Sequence, residues 1–548
     1  MCGIYFHIKK YNKETHKKDL TNSTLVNSII KSLSNRGPDY NGYWHDYSLN
    51  NEILAVQTRL KINGMIHSLP LIKDKHLLLV NGEIYNYKEL SQKFKFDSSK
   101  YKSDCEVLID LYIVLKRENK LDHFNSYLNG QYSFIIYSID TGDIFSSRDH
   151  IGINSLYYGF SEDSFYLSSR LDSIMLNENS SNITFKHFIP NTIIMSNIYN
   201  NIHTIISHID VITRYPTSYI NNEKLILENE FHSDEKEVKI NINSLLKNSV
   251  KTRLNDLIEN DIEYGVLLSG GLDSSLIAGL VSKFSNKQIK TFSVGVNEYA
   301  PDLIKAREVA KYINSYHTEY YISKYEILNN LENLINCVET YDVTTVRASS
   351  AMYLLIQKIK KDFPDIKVLF SGELSDELFC YLYGYNAPSK KDFQNETYHL
   401  TTSVYKYDCL RANKTSMENG VEIRLPFTDK HFVNYCLHVS PELKMFTKEN
   451  GKMEKQILRD SFKHDNLIPI NILYRKKEQF SDGVSCLNDE DNMISYLKEY
   501  TNNNEVDFYK NIFTKKYSNC TSLVSIWKPK WSENEDPSGR IQSFWHKN

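Results

Sequence analysis

The chain has 548 residues, enough for at least two domains, and its 41% hydrophobic and 24% charged content is that of an ordinary globular protein. A formal net charge of −3, with lysines interleaved among acids as in Asp234-Glu235-Lys236-Glu237, gives no electrostatic reason to expect nucleic acid or an anionic membrane as partner. No apolar run approaches the roughly 20 residues of a membrane helix. No secretory h-region follows Met1, and eight cysteines without a C-x-x-C pair argue against zinc and for reduced thiols in the cytoplasm.

Cys2 stands directly behind Met1. Loss of that methionine would leave one residue with a thiol nucleophile and a free α-amine, whose pKa of about 8 suits a general base. Leu25, Val26, Ile29, Ile30 and Leu33 have helical spacing, which stops at the turn signal Asn35-Arg36-Gly37-Pro38-Asp39. Leu77-Leu78-Leu79-Val80 reads as a short buried strand running into Asn81-Gly82. Tyr132 to Asp140 and Asp143 to Arg148 flank Thr141-Gly142 as a β-hairpin. Packed antiparallel sheets with a few helices are therefore expected. The segments Gln57 to Ile62, Asn81 to Asn86 and Ser103 to Glu106 place polar groups beside apolar runs. Together they suit an amide substrate: Arg59 can grip an α-carboxylate and Asp104 an α-ammonium. Asn81 with the Gly82 N–H can form an oxyanion hole.

Polar, Asn- and Tyr-rich sequence between about 205 and 235 reads as a linker. After it, Val238, Ile242, Leu245, Leu246, Val250 and Leu254 mark a long helix. Strand and helix then alternate: 264–268 with 274–284, 290–296 with 301–313, 366–371 with 375–382. Such alternation implies a doubly wound parallel sheet with ligands at the carboxyl ends of its strands. Ser269-Gly270-Gly271-Leu272-Asp273-Ser274-Ser275 joins the first strand to its helix. Glycines, hydroxyls and a helix N-terminus make an anion site there, and Asp273 implies Mg²⁺ between acid and phosphate. The Gly-Lys-Ser/Thr of the P-loop is missing.

Many short strings in order carry a resemblance. Met-Cys-Gly-Ile at the start, Arg-Gly-Pro-Asp (36–39), Asn-Gly-Glu-Ile-Tyr-Asn (81–86) and Ser-Asp-Cys-Glu (103–106) resemble class II, N-terminal-nucleophile glutaminases. The 269–275 loop resembles the pyrophosphate loop of adenylating ligases. With 339–348, 371–377, 407–414, 451–455, 477–483 and 536–540, it places the second half with glutamine-hydrolysing asparagine synthetases. The resemblance covers practically the whole chain. It implies an α+β N-terminal-nucleophile domain over 2–205, a linker over 206–235, and an α/β adenine-nucleotide alpha-hydrolase-like domain over 236–540.

The implied reaction makes asparagine from aspartate, ATP and glutamine through β-aspartyl-AMP, with Mg²⁺ on the pyrophosphate. Cys2 is the implied nucleophile. Arg59, Leu60, Lys61, Ile62, Asn63, Asn81, Gly82, Glu83 and Asp104 are the implied glutamine site. Leu267, Ser269, Gly270, Gly271, Asp273, Ser274, Val294, Ser371 and Gly372 are the implied ATP site, and Asp273 and Asp376 the metal ligands. Charge building on the α-phosphate needs cations, for which Lys477 and Arg347 are the candidates. Glu373, by family analogy, supports adenylate formation and the handling of ammonia. A cytoplasmic homodimer and a dry ammonia tunnel are further family expectations. Aspartate-binding residues are not assigned.

Four departures stand out. Leu374 replaces the second glycine of Ser-Gly-Glu-Gly-Ser-Asp-Glu; a position needing φ > 0 would cost leucine about 1–2 kcal/mol, but the intact acids favour a dispensable glycine. Phe-Gly-Gly-Tyr is shortened to Phe379-Cys380-Tyr381. Ser155 replaces a proline, and Arg170 with Asp172 invert a Glu and Lys. The rival readings are a non-catalytic or partly active relative with an impaired synthetase half, a β-lactam-forming relative, a phosphoribosyl amidotransferase and a nucleic-acid-modifying ligase. Cys2 opposes the β-lactam reading, the 269–275 loop the phosphoribosyl one, and the charge balance the nucleic-acid one.

Overall fold

The computed structural model describes residues 2–10, 23–48, 51–64, 68–177, 180–198, 231–447, 450–476, 484 and 493–531. The expected linker up to residue 230, Lys477 and the string at 536–540 lie outside them. The chain divides into two compact units. The first gathers Met1–Asn221 with Met417–Val421 and Thr514–Leu523. The second gathers Asn222–Ser416, Glu422–Phe513 and Val524–Asn548.

In the first unit, strands β1 (Cys2–Lys10), β2 (Tyr40–Ser48), β3 (Asn51–Arg59), β4 (Leu71–Lys73), β5 (His76–Ile84), β6 (Gly130–Ser138), β7 (Asp143–Arg148), β8 (Tyr157–Phe160), β9 (Ser164–Ser168), β10 (Thr184–His187) and β11 (Ile193–Asn197) form two antiparallel sheets. One has the order β10-β8-β9-β1-β3-β2, the other β11-β7-β6-β5-β4. Side chains alternate along a strand, so Leu77 and Leu79 pack with Ile4, Phe6, Ile53 and Ala55 of the other sheet. Leu78 turns the opposite way, into the cluster of Leu108, Leu111 and Leu115 from the helix Val107–Arg117. Both faces of β5 are covered, which is why 77–80 is continuously apolar. β5 does not stop at Val80. It runs through Asn81-Gly82 to Ile84, paired with β6 throughout. A Cβ on Gly82 would lie 2.1 Å from the Gln131 carbonyl oxygen, so only glycine allows that register.

In the second unit, β12 (Tyr264–Leu267), β13 (Lys290–Gly295), β14 (Tyr316–Tyr321), β15 (Val368–Phe370) and β16 (Glu422–Arg424) form a wholly parallel sheet of order β14-β13-β12-β15-β16. The direction of winding reverses between β12 and β15, and the crevice beyond such a pair is where open α/β sheets bind ligands. The long helix after the linker is Glu235–Glu259, capped by the Asp234 carboxylate, which accepts from the backbone N–H groups of Lys236 and Glu237.

Two departures take a new meaning. Leu374 sits at φ +80°, so the expectation of a dispensable glycine is overturned: the turn into helix Ser375–Phe379 needs a left-handed residue. Leucine survives there because its side chain is 1% exposed. Burying a leucine contributes about 1.5–3 kcal/mol, which offsets the conformational cost. The helix expected over 375–382 ends at Phe379, where Cys380 adopts φ +67° and ψ 145°, a region that favours glycine.

Candidate active sites

Cys2 opens β1 directly opposite Arg59, the last residue of β3. The Cys2 backbone N–H donates to Asn81 Oδ1 at 2.9 Å. The Asn81 carbonyl accepts from Asn154 Nδ2 at 2.7 Å, which fixes this stretch of β5. Asn81 Nδ2 is fully buried and has no hydrogen-bond partner. A buried donor of this kind is costly unless an acceptor arrives. Arg59 Nη2 donates to the Asn63 carbonyl at 2.6 Å, and Asn63 Nδ2 to Glu83 Oε2 at 2.8 Å. Asp104 Oδ2 accepts from the Ile84 N–H at 2.6 Å.

Cys2, Arg59, Leu60, Ile62, Asn63, Gly82, Glu83 and Asp104 thus line one small pocket, with Gln57, Val80 and Cys105 beside them. Lys61 does not line it; its backbone N–H donates to Asp39 Oδ2 at 2.7 Å and ties the 36–39 turn to the site. Burial raises the Cys2 thiol above its ordinary range, while the nearby Arg59 charge works the other way. The two departures in this unit are accommodated. Ser155 Oγ donates to the Ser169 carbonyl at 2.8 Å. Arg170 pairs with its own inverted partner Asp172 through two contacts of 2.9 and 2.7 Å, and with Glu418 at 2.5 Å.

The second site gathers where β12 and β15 end. The turn after β12 starts the helix Leu272–Phe284 and aims its first N–H groups at the crevice. Gly270, at φ +72°, backs against residues 305–306, where a Cβ would meet the Ala306 nitrogen at 2.5 Å. It shapes the loop from behind and does not line the cavity. Leu267, Ser269, Gly271, Asp273, Ser274, Val294, Arg347, Ser371, Gly372, Glu373 and Asp376 all do. Leu268, Phe292, Met352 and Leu355 add an apolar wall suited to a purine base.

A buried lysine lines this cavity. Lys455 Nζ stands 2.7 Å from Asp273 Oδ2 and 2.7 Å from Asp376 Oδ1, and the residue is 2% exposed. Arg347 is buried against Glu505, with Nε 3.0 Å from Oε1 and Nη2 on Oε2; the Tyr509 hydroxyl donates to the same carboxylate at 2.9 Å. Arg411 Nη2 reaches Glu373 at 2.7 Å and Asp408 at 2.8 Å. Tyr381 Oη lies 2.7 Å from Glu377 and 2.8 Å from Asp408.

One hydroxyl carries one proton, so a second proton must sit among these groups. Burial, then the Asp408 charge, pushes Glu377 well above the usual carboxylate range. Burial works the same way on Asp408, but the Arg411 charge and donated hydrogen bonds outweigh it and hold Asp408 low. Asp342 is pushed up to about 6 by burial, against hydrogen bonds from the Trp527 N–H and from the Thr345 N–H and hydroxyl.

Lys455, Asp408, Arg411 and Tyr381 are the site groups that reading from the sequence missed. Lys455 ends the string 451–455 and carries a signal visible only in three dimensions, a left-handed φ of +57°. Among the described residues no group of three or more His, Cys, Asp or Glu could hold a metal by itself. Two convergent carboxylates nevertheless fit a magnesium ion that takes its other ligands from phosphate and water. Asp273 and Asp376 would hold it.

A buried thiol beside an orphaned amide donor, and a phosphate loop facing paired acids and a lysine, define an amidotransferase joined to a nucleotide-dependent synthetase. The sequence comparisons agree. A glutamine amidotransferase domain model matches residues 1–229, and an asparagine synthase model matches 241–395 and 385–535. A probable glutamine-hydrolysing asparagine synthetase of Schizosaccharomyces pombe is 34% identical over 99% of both chains. One from Dictyostelium discoideum is 32% identical over 99% of both, and asparagine synthetase 1 of Arabidopsis thaliana 34% over 98% of this chain and 93% of its own. The chain belongs to the family of glutamine-hydrolysing asparagine synthetases.

Proposed function

We propose that this protein makes asparagine from aspartate and ATP with ammonia cut from glutamine. The observation that carries the reading is the presence on one chain of two built sites, Cys2 with Asn81 and Lys455 between Asp273 and Asp376. In the first, the Cys2 sulfur attacks the glutamine side-chain amide carbon. Asn81 Nδ2 and the Gly82 N–H receive the developing oxyanion. The α-amine freed by loss of Met1 passes the thiol proton to the departing nitrogen, ammonia leaves, and water clears the glutamyl thioester as glutamate. Arg59 takes the glutamine α-carboxylate and Asp104 its α-ammonium, with Leu60, Lys61, Ile62, Asn63 and Glu83 shaping the pocket.

In the second site an oxygen of the aspartate β-carboxylate attacks the α-phosphorus of ATP, and pyrophosphate leaves. Ammonia, as the free base, then attacks the β-carbonyl carbon and AMP departs. The loop 269–274 holds the phosphates, and Leu267, Val294, Ser371 and Gly372 surround the adenosine. The Lys455 ammonium supplies positive charge where the pyrophosphate builds negative charge, with Arg347 and Lys477 as the further cations and Glu373 assisting the adenylate step. Asp273 and Asp376 would hold Mg²⁺, which would neutralise charge on the pyrophosphate. The reading extends to a cytoplasmic homodimer.

Leu374 and Cys380, both at positive φ beside the second acid cluster, favour one alternative: a partly active relative whose synthetase half is impaired. Aspartate-dependent release of pyrophosphate and AMP from ATP, with ammonium chloride as nitrogen source, tests the reading. Equimolar AMP, pyrophosphate and asparagine support it. Glutamine hydrolysis without AMP would leave only the alternative.

A further inference from the structure

In the chemistry proposed for the Cys2 pocket, Arg59 and Asp104 read the two charged substituents on the glutamine α-carbon, and Asn81 with Gly82 the developing oxyanion. That leaves the NH₂ of the side-chain amide, the one feature that separates glutamine from its product glutamate. A primary amide presents an acceptor, its carbonyl oxygen, and a donor, its NH₂. The unpartnered Asn81 Nδ2 suits the first. Its counterpart would be an unpartnered acceptor in the pocket.

Gln57 supplies one. It stands on β3 two residues before Arg59, so both side chains leave the strand on one face, and both line the pocket with Cys2. Thr58, between them, turns the other way and donates to the Leu33 carbonyl. Gln57 is 3% exposed. Its Nε2 donates to the Val80 carbonyl at 2.9 Å, and its Oε1 is buried with no hydrogen-bond partner among the described residues. The Val80 bond fixes which way round the amide sits, because the reversed amide would set two carbonyl oxygens against each other. Gln57 therefore offers this pocket an acceptor and not a donor. A buried acceptor left bare is costly unless a donor arrives.

We propose that Gln57 is a specificity-determining residue whose Oε1 accepts a hydrogen bond from the glutamine side-chain NH₂. Glutamate puts a carboxylate oxygen in that place, with no hydrogen to give, so two acceptors face each other. The same contact admits the substrate and helps to expel the product once the thioester is cleared. Arg59, Glu83 and Asp104 are the charged residues lining the pocket among those described. Their pull and push on a γ-carboxylate stay the same when Gln57 is exchanged for another neutral residue, so such an exchange isolates the contact. This assignment rests on the glutaminase reading above.

The test uses full-length Cys2→Ala protein, which cannot form the thioester, and measures Kd for glutamine and for glutamate by calorimetry. Glutamine is expected to bind on the order of 10²-fold tighter. Adding Gln57→Met, neutral and close in length, should weaken glutamine and leave glutamate unchanged or tighter, so that the preference shrinks by about tenfold or more. Gln57→Asn stays polar and draws the acceptor back by one methylene. It should shrink the preference in the same direction, and it carries the test if the methionine variant does not fold. Gln57→His, whose neutral ring has one donor for Val80 and one acceptor for the pocket, should keep the preference within about threefold. A Gln57 that served only to tie β3 to Val80 would, on replacement, weaken both ligands alike. Equal weakening of both, or an undiminished preference in Gln57→Met and Gln57→Asn, would overturn the assignment while leaving the glutaminase reading intact. Wild-type enzyme that does not hydrolyse glutamine removes the parent reading and this one with it.

Discussion

Around Cys2 the working groups come from β1 and β3 of one sheet and β5 of the other, and most of their contacts run through backbone N–H and carbonyl groups. Around Lys455 they come from segments far apart in the chain: Lys455 reaches back 182 positions to Asp273, and Arg411 reaches 38 to Glu373. The chemistry accounts for the contrast. A thioester site handles a neutral amide, and fixed backbone dipoles in a sheet suffice for one oxyanion. An adenylating site handles a highly charged nucleotide, and the cations and acids that balance it must be delivered from several elements into one low-dielectric cavity. The first site is rigid by construction, whereas the second depends on mutual compensation among charges.

The largest expected effect separates the two sites outright. Cys2→Ala should reduce glutamine-dependent asparagine formation by more than about 10³-fold and leave ammonia-dependent formation within about twofold. Loss of both activities in a folded variant would show that the sites do not divide the labour this way. Lys455→Met should do the opposite. Ammonia-dependent asparagine formation should fall by on the order of 10²–10³-fold, because a cation aimed at the leaving pyrophosphate is gone, with glutamine hydrolysis retained. Glutamine hydrolysis falling in step would break the comparison.

Two smaller effects probe rigidity. His7 lies in β1 with both ring nitrogens unpartnered, stacked 4.0 Å from Tyr166, and burial followed by the Lys9 charge drives its pKa well below the ordinary value. The unfolded imidazole titrates near about 6.5, so protons bind the unfolded chain first. Stability contributed by the neutral ring is therefore complete above that pH and falls below it, by up to about 1.4 kcal/mol per pH unit. Chemical unfolding at about pH 7 and about pH 5.5 should show wild type losing about 1 kcal/mol more than His7→Phe; equal losses would contradict the burial argument. At Leu374 the usual ranking should invert. Alanine keeps the left-handed strain and loses the burial, while glycine loses the burial but relieves the strain, so Leu374→Gly should be about 1 kcal/mol more stable than Leu374→Ala. The reverse order, by equilibrium unfolding, would mean the strain is absent.

The same contrast governs how much could be read from the sequence. The strand-loop-helix at 264–284 and the hairpin at 132–148 were legible because period, turn residues and glycines act locally. β14 and β16 were not. The first is an edge strand of polar and aromatic residues without an apolar run, and the second is three residues whose buried Glu422 and Arg424 pair with each other. The pocket around Cys2 was almost wholly legible, since its residues cluster in three short segments. In the other site the glycine loop and Asp376 were legible, but Lys455, Asp408 and Arg411 were not. A lone lysine in a charged string carries no local mark of the two acids it will join. Leu374 was misread for a related reason: its neighbours were intact, and the compensating burial exists only in the folded core.

The central claim is that ammonia released at Cys2 is consumed at the Lys455 cavity of the same protein. Glutamine carrying heavy nitrogen in its side-chain amide, given with aspartate, ATP, Mg²⁺ and an excess of unlabelled ammonium chloride, tests this most directly. The account predicts asparagine enriched in the label well above the bulk ammonia pool, with one AMP per asparagine. Asparagine labelled no more than the bulk pool, or labelled ammonia released with no AMP, would contradict it.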